Sequence, residues 1–509
     1  MGLLALQRLM SMQRDRQRRR RRTPDRNGPI ASHYKRKGSP CRQDGDGHSH
    51  TGKIMRYSIP DLPEDIWCHI HSLMPLHDAA RAACLSRAFL RSWRHYPNLT
   101  LNRDTLRSEE YACKGDFSDK IARILRNHTG KILKLELKDV SCRFLDSWLH
   151  VAVTSGIEEL TVVPRRHKIK YNFRCSLLSK GVRNSVRYIY LAFCAFRPTP
   201  ELGPMRSLTS LHLCVVHITD NELECFLANA TALEQLALTY CDQLTCLKIP
   251  CVLQQLVCLR IYGCQWLQVI ENKAPNLSSL SFTGKRKLSL GETVQIKDLA
   301  IFDSKIISYA RTELPSVMPY LEILDLTSDG EAVNTPMLST KFLCLKHLSI
   351  STRSGLAFSP KYDYCSLVSF LDASPSLETL VLDVSLECLK HESVFGNSQL
   401  RQIPEHRHCC LKSMKIIGFS SAKSLVELAC YVLKNAVSLE CVTLDTLYGF
   451  RCSGENDRKC QMMCKSMLRE APRAAAAIRA YIEDKVPSTV RLTVLEPCSR
   501  CHYRPWWSV

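Results

Sequence analysis

The sequence contains no long apolar run. In its 509 residues, no stretch approaches the roughly 18 uncharged apolar residues that a membrane-spanning helix needs. The short apolar stretch at residues 2–6 precedes the basic residues, whereas a secretory signal has the opposite order. We therefore expect a protein without membrane contact, located in the nucleus, the cytoplasm or both.

Glycine is also scarce, with 20 residues in the whole chain. The sequence has no glycine-rich phosphate-binding loop and no Gly-x-Ser-x-Gly nucleophile elbow. These absences argue against nucleotide hydrolysis and against the α/β-hydrolase type of catalysis. We find no candidate catalytic residue, and we expect a protein that is not an enzyme.

Acidic residues are outnumbered, at 49 Asp and Glu against 70 Lys and Arg, which gives a formal net charge of +21. Residues 1–54 hold 14 of the basic and 4 of the acidic residues, with no periodic apolar pattern, and we expect them to be a disordered tail. A solvated tail without a function is one interpretation. The other is a nuclear-import signal or a nonspecific polyanion contact, formed by Arg18, Arg19, Arg20, Arg21 and Arg22.

The 26 cysteines are scattered through a long chain that has no secretory signal. We expect reduced thiols that pack as small hydrophobes, since disulfide frameworks belong to small secreted domains. The string Cys498-x-x-Cys501-His502 fits c-type haem attachment, but that chemistry belongs to exported proteins. Two sets are weak candidates for zinc, and we expect no metal or other cofactor: Cys460 and Cys464 with the C-terminal string, and His406, His408, Cys409 and Cys410.

Residues 60–97 have the pattern of three short helices. The first is expected to begin at Pro63, a residue suited to the first helical position. Ile66, Ile70 and Leu73 recur at i, i+4 and i+7 and form one apolar stripe along it.

The second helix is predicted from about His77, and the third runs from about Ser86 to His95. Phe89 and Trp93 lie one turn apart on the third helix. Three such helices make a small core that cannot cover all of its apolar residues. The surplus, which indicates a binding surface, comprises Leu62, Met74, Leu76 and Leu85.

From about residue 130 the sequence is repetitive. The pattern apolar-x-x-apolar-x-apolar recurs thirteen times with a mean spacing of about 26 residues, from Ile132/Leu135/Leu137 to Leu439/Val442/Leu444. This spacing is typical of leucine-rich repeats, in which each repeat adds a short strand to a parallel sheet and stacking buries a shared core. An additional match at Leu244/Leu247/Ile249 predicts a second short strand on the returning side of a repeat.

Two other features complete the array. The longer spacings between residues 351 and 410 predict loops or irregular repeats. Residues 471–485 predict a helix with Pro472 near its start, and Val490, Leu492 and Val494 alternate like a last strand. These last elements would cap the open end of a solenoid.

The helical segment resembles the F-box. The resemblance covers about 35 residues in the order of the family's motif, with Phe89 where Trp is more usual and Met74 where Leu is common. An F-box followed by leucine-rich repeats resembles a large family of plant F-box/LRR proteins, including an FBD-like C-terminal end. The matching motifs are Leu62-Pro63-Glu64-Asp65-Ile66, Leu73-Met74-Pro75-Leu76, Leu85-Ser86-Arg87 and Trp93.

This resemblance implies an α/β protein with four parts. They are a basic tail (1–54), an F-box (58–104), a leucine-rich-repeat solenoid (130–450) and a C-terminal capping region (451–509). It also implies that Phe89 and Trp93 hold the F-box core together. The residues expected to contact a Skp-type adaptor are Leu62, Pro63, Ile66, Ile70, Leu73, Pro75, Leu76, Leu85 and Ser86.

The function implied by the resemblance is substrate recognition in an SCF-type ubiquitin ligase. The partners would be the Skp-type adaptor, a cullin reached through it, and a protein substrate. Outward strand positions such as Lys134, Glu136, His212 and Asp325 are mixed in charge, so the substrate is unknown. The alternatives are a scaffold that acts outside any ligase and nucleic-acid binding by the tail, whose arginines have no interleaved aromatic residues to stack on bases.

Overall fold

The computed structural model describes most of the chain after the basic tail. The tail, Cys460, Cys464 and the Cys498–His502 string lie outside the described residues. The described stretches are 62–106, 114–165, 171–283, 289–290, 295–328, 341–353, 362–385, 391–396, 399–447 and 465–497.

Three short helices come first: α1 (Glu64–Ser72), α2 (Leu76–Ala82) and α3 (Arg87–Arg94). Proline occupies the N-cap position of both α1 and α2, so α1 begins one residue later than predicted. The hydroxyl of Ser86 caps α3 by accepting a hydrogen bond of 3.2 Å from the backbone N–H of Phe89. We call residues 62–97 the helical unit.

The rest of the described chain is built on strands. Fifteen of them form one all-parallel sheet, ordered along the sequence except that β4, β6, β9, β11 and β13 lie elsewhere. The strands are β1 (Asn98–Leu101), β2 (Lys134–Val140), β3 (Glu159–Pro164), β4 (Tyr171–Phe173), β5 (Tyr188–Ala192), β6 (Cys194–Phe196), β7 (Ser210–Cys214), β8 (Gln235–Thr239), β9 (Cys246–Ile249), β10 (Cys258–Tyr262), β11 (Val269–Asn272), β12 (Ser279–Thr283), β13 (Ser289–Leu290), β14 (Asp298–Phe302), β15 (Ile323–Ser328), β16 (His347–Arg353), β17 (Thr379–Ser385), β18 (Ser413–Ile417), β19 (Cys441–Asp445) and β20 (Arg491–Leu495).

Helices connect many of these strands and cover one face of the sheet, where their apolar residues join the same core as the strand leucines. The other face of the sheet, which we call the open face, carries the alternate strand residues. The helices are α4 (Lys114–Asn127), α5 (Cys142–Ala152), α6 (Lys180–Arg183), α7 (Asp220–Ala228), α8 (Ile306–Thr312), α9 (Leu314–Val317), α10 (Val368–Ala373), α11 (Lys423–Asn435) and α12 (Lys465–Tyr481).

The leucine pattern sets the register of the long sheet. The middle apolar position of each repeat pairs with the same position in the next repeat, and every member is buried or packs against the core. This continuous row confirms the predicted α/β solenoid of stacked repeats. Its members are Leu99, Leu135, Leu160, Ile189, Leu211, Leu236, Leu259, Leu280, Leu299, Leu324, Leu348, Leu380, Met414, Val442 and Leu492.

The secondary strand predicted at Leu247 is confirmed as β9. It pairs in parallel with β11, which pairs with β13, and the three form a second small sheet. The segment between residues 351 and 410, predicted as loops or irregular repeats, contains α10 among its described residues.

Two predicted boundaries were wrong. The sheet starts at β1, one strand earlier than the first repeat match, because Leu99 and Leu101 pair with β2 directly after the helical unit. The last helix, α12, begins at Lys465 instead of residue 471, and Pro472 lies inside it. An interior proline costs about 3 kcal/mol, and the buried side chains of Ala474 and Ile478 help to hold the helix in place.

None of the described helices combines the length and the apolar character that crossing a membrane requires.

Candidate functional site

Helix α1 has two different faces. Trp67 and His71, one turn apart, are buried at 7% and 0% exposure and point into the helical unit. The predicted stripe lies on the other side of the helix, where Ile66 is 41% and Leu73 is 73% exposed. The apolar stripe of α1 therefore faces solvent, and the inward contacts come from an aromatic residue and a histidine.

The other predicted contact residues occupy different environments. Leu85 is 73% exposed, Pro63 and Pro75 are exposed, and Leu62 and Ile70 are half-buried. Leu90 was not predicted and is 40% exposed. Four large apolar side chains of the helical unit are therefore exposed: Ile66, Leu73, Leu85 and Leu90.

Two of the predicted contact residues make contacts within the protein. Leu76 is only 6% exposed and belongs to the core that the helical unit shares with the solenoid. Its side chain is therefore covered in this structure, and its role as an adaptor contact stays a prediction. The Ser86 hydroxyl is half-buried and serves as the cap of α3.

The core of the helical unit is aromatic. The ring of Phe89 lies 4.7 Å from that of Trp67 in an edge-on arrangement and 5.1 Å from that of His71. His71 Nδ1 and Ser92 Oγ share a buried hydrogen bond of 2.6 Å, and burial lowers the pKa of His71. Trp93 is half-buried, packs against the core, and lies 5.5 Å from the ring of Tyr96.

Tyr96 lies at the end of the helical unit, where that unit meets the solenoid. It is 4% exposed, and its hydroxyl donates a hydrogen bond of 2.8 Å to the carbonyl of Met74. Its own carbonyl accepts a hydrogen bond of 2.9 Å from His128 Nε2. Since Leu99 of β1 shares a core with Leu76, the helices and the first strand form one packed body.

Family comparisons agree with this architecture. A model of the F-box domain matches residues 59–100, which contain the three helices. A model described as the At1g61320/AtMIF1 LRR domain matches residues 124–499, about three quarters of the chain. The chain belongs to the F-box/LRR family. The helical unit is its F-box, and the long parallel sheet is its leucine-rich-repeat domain.

Curated relatives in Arabidopsis thaliana have the same character. The F-box/FBD/LRR-repeat protein At3g52680 is 25% identical over 39% of this chain and 44% of its own length. The F-box protein At5g03100 is 25% identical over 41% of this chain and 64% of its own length. The putative F-box protein At1g49610 is 24% identical over 46% and 60%. The matched regions thus span about half of these relatives.

His406 and His408 lie together near Asp372 and Tyr431. The two rings stack at 5.3 Å, and each lies 3.8 Å from the carboxylate of Asp372. His408 also shares a hydrogen bond of 3.0 Å with the Tyr431 hydroxyl. Within the described stretches, no group of His, Cys, Asp and Glu side chains has an arrangement that could hold a metal ion.

The sequence could not show which apolar residues the solenoid covers. Helical periodicity marks Ile66 and Leu73 as one stripe, but it does not say whether the stripe faces inward. Leu90 could have been found, because it lies one turn before Arg94 on the same face of α3, and a charged residue marks the face that points to solvent. Burial of Leu76 depends on its contact with a distant part of the sequence.

Proposed function

We propose that this protein is the substrate-recognition subunit of an SCF-type ubiquitin ligase. Its F-box binds a Skp-type adaptor and, through it, a cullin, while its repeats hold a target protein. The observation that carries the proposal is the exposure of Ile66, Leu73, Leu85 and Leu90 on a domain whose aromatic core is buried. Apolar side chains left in water on so small a unit are typical of a surface that a partner covers.

The contribution of this subunit is proximity and not chemistry. Bringing two reactants together in a fixed geometry turns an encounter between separate molecules into a reaction within one assembly. The hydrogen bond of His128 to the Tyr96 carbonyl and the shared core of Leu76 and Leu99 support this role, because they fix the F-box relative to the sheet. A target held on the sheet then keeps a constant position relative to the adaptor.

Co-purification with the Skp-type adaptor tests the proposal. Leu73→Asp combined with Leu85→Asp places two charges where apolar contact is expected, and it should abolish capture of the adaptor. Leu343→Asp is the matched control, since Leu343 is a leucine of the repeat domain with 61% exposure. Capture by Leu343→Asp should equal that of the unmodified chain. Failure of the unmodified chain to capture the adaptor contradicts the proposal.

A scaffold that uses the F-box outside a ligase would also bind the adaptor. Degradation separates the two functions: targets of a ligase subunit accumulate when the proteasome is inhibited, and the Leu73→Asp/Leu85→Asp variant should stabilise the same targets. A scaffold predicts captured proteins whose lifetimes do not change in either case.

We further propose that the protein works in the nucleus as well as the cytoplasm, and that the arginine block at 18–22 directs import. The density of positive charge in residues 1–54 supports this assignment. Replacing the five arginines with glutamine should shift a fluorescently tagged chain toward the cytoplasm, and an unchanged distribution would contradict the assignment. If the tail instead binds nucleic acid, deletion of residues 1–54 should remove a strongly salt-dependent affinity.

A further inference from the structure

Five adjacent strands of the open face, β5, β7, β8, β10 and β12, differ from the rest of the sheet in their charge. At the outward positions of these strands that are exposed or half-buried, twelve residues are uncharged and one, Arg260, carries a charge. These positions are Tyr188, Tyr190, Ser210, His212, Cys214, Gln235, Ala237, Thr239, Arg260, Tyr262, Ser279, Ser281 and Thr283. We call this region the tyrosine strip.

Charges on the strands that flank the tyrosine strip are paired. Lys134 and Glu159 form an ion pair of 2.7 Å, and Lys138 forms one of 2.8 Å with Glu136. On the other side, Asp298 accepts a hydrogen bond of 3.0 Å from the Ser279 hydroxyl.

Arg260 differs from these flanking charges. Its side chain is exposed and makes no ion pair and no hydrogen bond with the residues that the structure describes, although its backbone is paired in the sheet. Its guanidinium therefore retains five donors that can bind an acceptor.

Aromatic residues lie on one side of this cation. The ring of His212 is 5.3 Å from that of Tyr188 and 6.1 Å from that of Tyr190. In the register of the sheet, Ala237 lies directly between His212 and Arg260, and its methyl group leaves the space above it open. Burial, and then the charge of Arg260, lower the pKa of His212, which favours the neutral form of the ring.

The carboxyl edge of the tyrosine strip is strained. Phe193, Val215 and Tyr240 follow three successive strands with φ of 52°, 54° and 50°, a region that bulky residues rarely adopt. Tyr240 packs edge-on against Tyr262 at 5.2 Å, and the two are 43% and 47% exposed. Strained backbone beside exposed aromatic residues is typical of binding sites.

We propose that the tyrosine strip binds an extended acidic segment of the target protein, with a carboxylate of that segment on Arg260. The proposal rests on the proposed function only in taking the occupant to be a protein target. Five strands spaced about 4.8 Å apart span roughly 19 Å, which fits about six extended residues. Apolar side chains of the segment would lie on Tyr190, in the same row as Arg260, and on Tyr262, toward the carboxyl edge of the strip.

The single positive charge of Arg260 favours a carboxylate over a phosphate group. A phosphate group carries nearly two negative charges at pH 7, and proteins that recognise it use clusters of arginines. A carboxylate carries one charge and matches one guanidinium, which can bind it through two parallel hydrogen bonds. The tyrosine, serine and histidine side chains around Arg260 supply neutral donors and no second positive charge.

Binding of peptide pools to the purified full-length chain tests the proposal. Three heptapeptide pools carry random residues around a central Glu, Gln or phosphoserine, and the retained fraction of each is measured. The Glu pool should be retained about tenfold to a hundredfold more than the Gln pool, as expected for a hydrogen bond between charged groups. Arg260→Ala should remove this preference, whereas Arg206→Ala, at an exposed arginine before β7, should preserve it.

Several outcomes would overturn the proposal. They are equal retention of the Glu and Gln pools, a Glu preference that survives Arg260→Ala, and stronger retention of phosphoserine than of Glu. Arg260 is exposed, so its replacement should leave the melting temperature unchanged and loss of binding would not reflect unfolding. Adaptor capture measured on the same samples separates the two proposals: a Glu preference without adaptor capture contradicts the ligase function alone, and capture without the preference contradicts the tyrosine strip alone.

Discussion

The hydroxyl of Tyr96 donates a hydrogen bond of 2.8 Å to the backbone carbonyl of Met74. Met74 lies between the first two helices of the F-box, and Tyr96 lies two residues before the first strand of the repeat domain. The bond therefore lies within the F-box, beside its junction with the repeat domain. It is accompanied by apolar contact, because Tyr96, Leu76 and Leu99 belong to one buried core.

Removing this bond should destabilise the part of the F-box that lies next to the junction. Tyr96→Phe deletes the donor and leaves the ring in place, so the free energy of unfolding should fall by about 0.5–1.5 kcal/mol. Urea denaturation measures the change. Tyr320→Phe is the control, since Tyr320 is 55% exposed, and it should leave the free energy of unfolding within about 0.5 kcal/mol of the unmodified value.

Leucines three residues apart in the F-box should respond differently to truncation. Leu76 is 6% exposed and packs in the common core, so Leu76→Ala should lower the free energy of unfolding by about 2–5 kcal/mol. Leu73 is 73% exposed, and Leu73→Ala should change it by less than about 0.5 kcal/mol. A denaturant titration measures both changes. Equal losses in the free energy of unfolding for the two variants would contradict the assignment of Leu76 to the core.

Acid should destabilise the protein through its buried histidines. Burial holds the pKa of His71 below its ordinary value of 6.5, so near and below pH 6.5 the unfolded chain binds a proton that the folded chain does not. Stability is then complete above pH 6.5 and falls as pH decreases below it, by at most about 1.4 kcal/mol per pH unit for each such group.

The contribution of His71 can be isolated by substitution. His71→Gln removes the titrating group, so the loss of stability between pH 7.5 and pH 5.5 should be smaller than in the unmodified chain. His150→Gln, at an exposed position on α5, is the control and should retain the full pH dependence. Urea titrations at pH 7.5, 6.5 and 5.5 give the free energy of unfolding of each protein. The same pH dependence in the unmodified chain and in both variants would contradict the assignment of a buried, neutral His71.

Gly263 permits a close approach at the edge of the tyrosine strip. Its φ is +64°, and a Cβ placed on it would lie 2.3 Å from Cε1 of Tyr240. Gly263→Ala should therefore lower the free energy of unfolding by about 1–3 kcal/mol. In the double variant Gly263→Ala/Tyr240→Ala the ring clash is absent, so the loss in free energy of unfolding should be smaller than the sum of the losses of the two single variants. A loss equal to that sum would contradict a clash with the Tyr240 ring.

The repeat domain could be predicted from the sequence because its signal is local and recurrent. The spacing of residues such as Leu211 and Leu213 gives both the strand and the buried face. The strand at Leu99 and Leu101 was missed because it follows the F-box directly, with no preceding repeat to set the period. The early start of α12 was missed because Pro472 is a strong signal for a helix terminus, whereas packing of Ala474 and Ile478 favours a longer helix.

The candidate sites could be predicted only in part. Motif order gave the positions of Leu73 and Leu85, but the burial of Leu76 depends on contact with the repeat domain. Arg260 carries no motif at all. Its position in the tyrosine strip can be recognised only from the register of the sheet, which aligns it with Ala237 and His212, 23 and 48 residues away in the sequence.

The affinity of the purified full-length chain for the Skp-type adaptor, measured by calorimetric titration, tests the central claim most directly. We expect saturable binding with one adaptor per chain. Leu73→Asp/Leu85→Asp should weaken this binding at least about a hundredfold, because two apolar contacts are replaced by charges, and Leu343→Asp should leave the Kd unchanged. An absence of binding, or a Kd that the double substitution does not alter, would contradict the central claim.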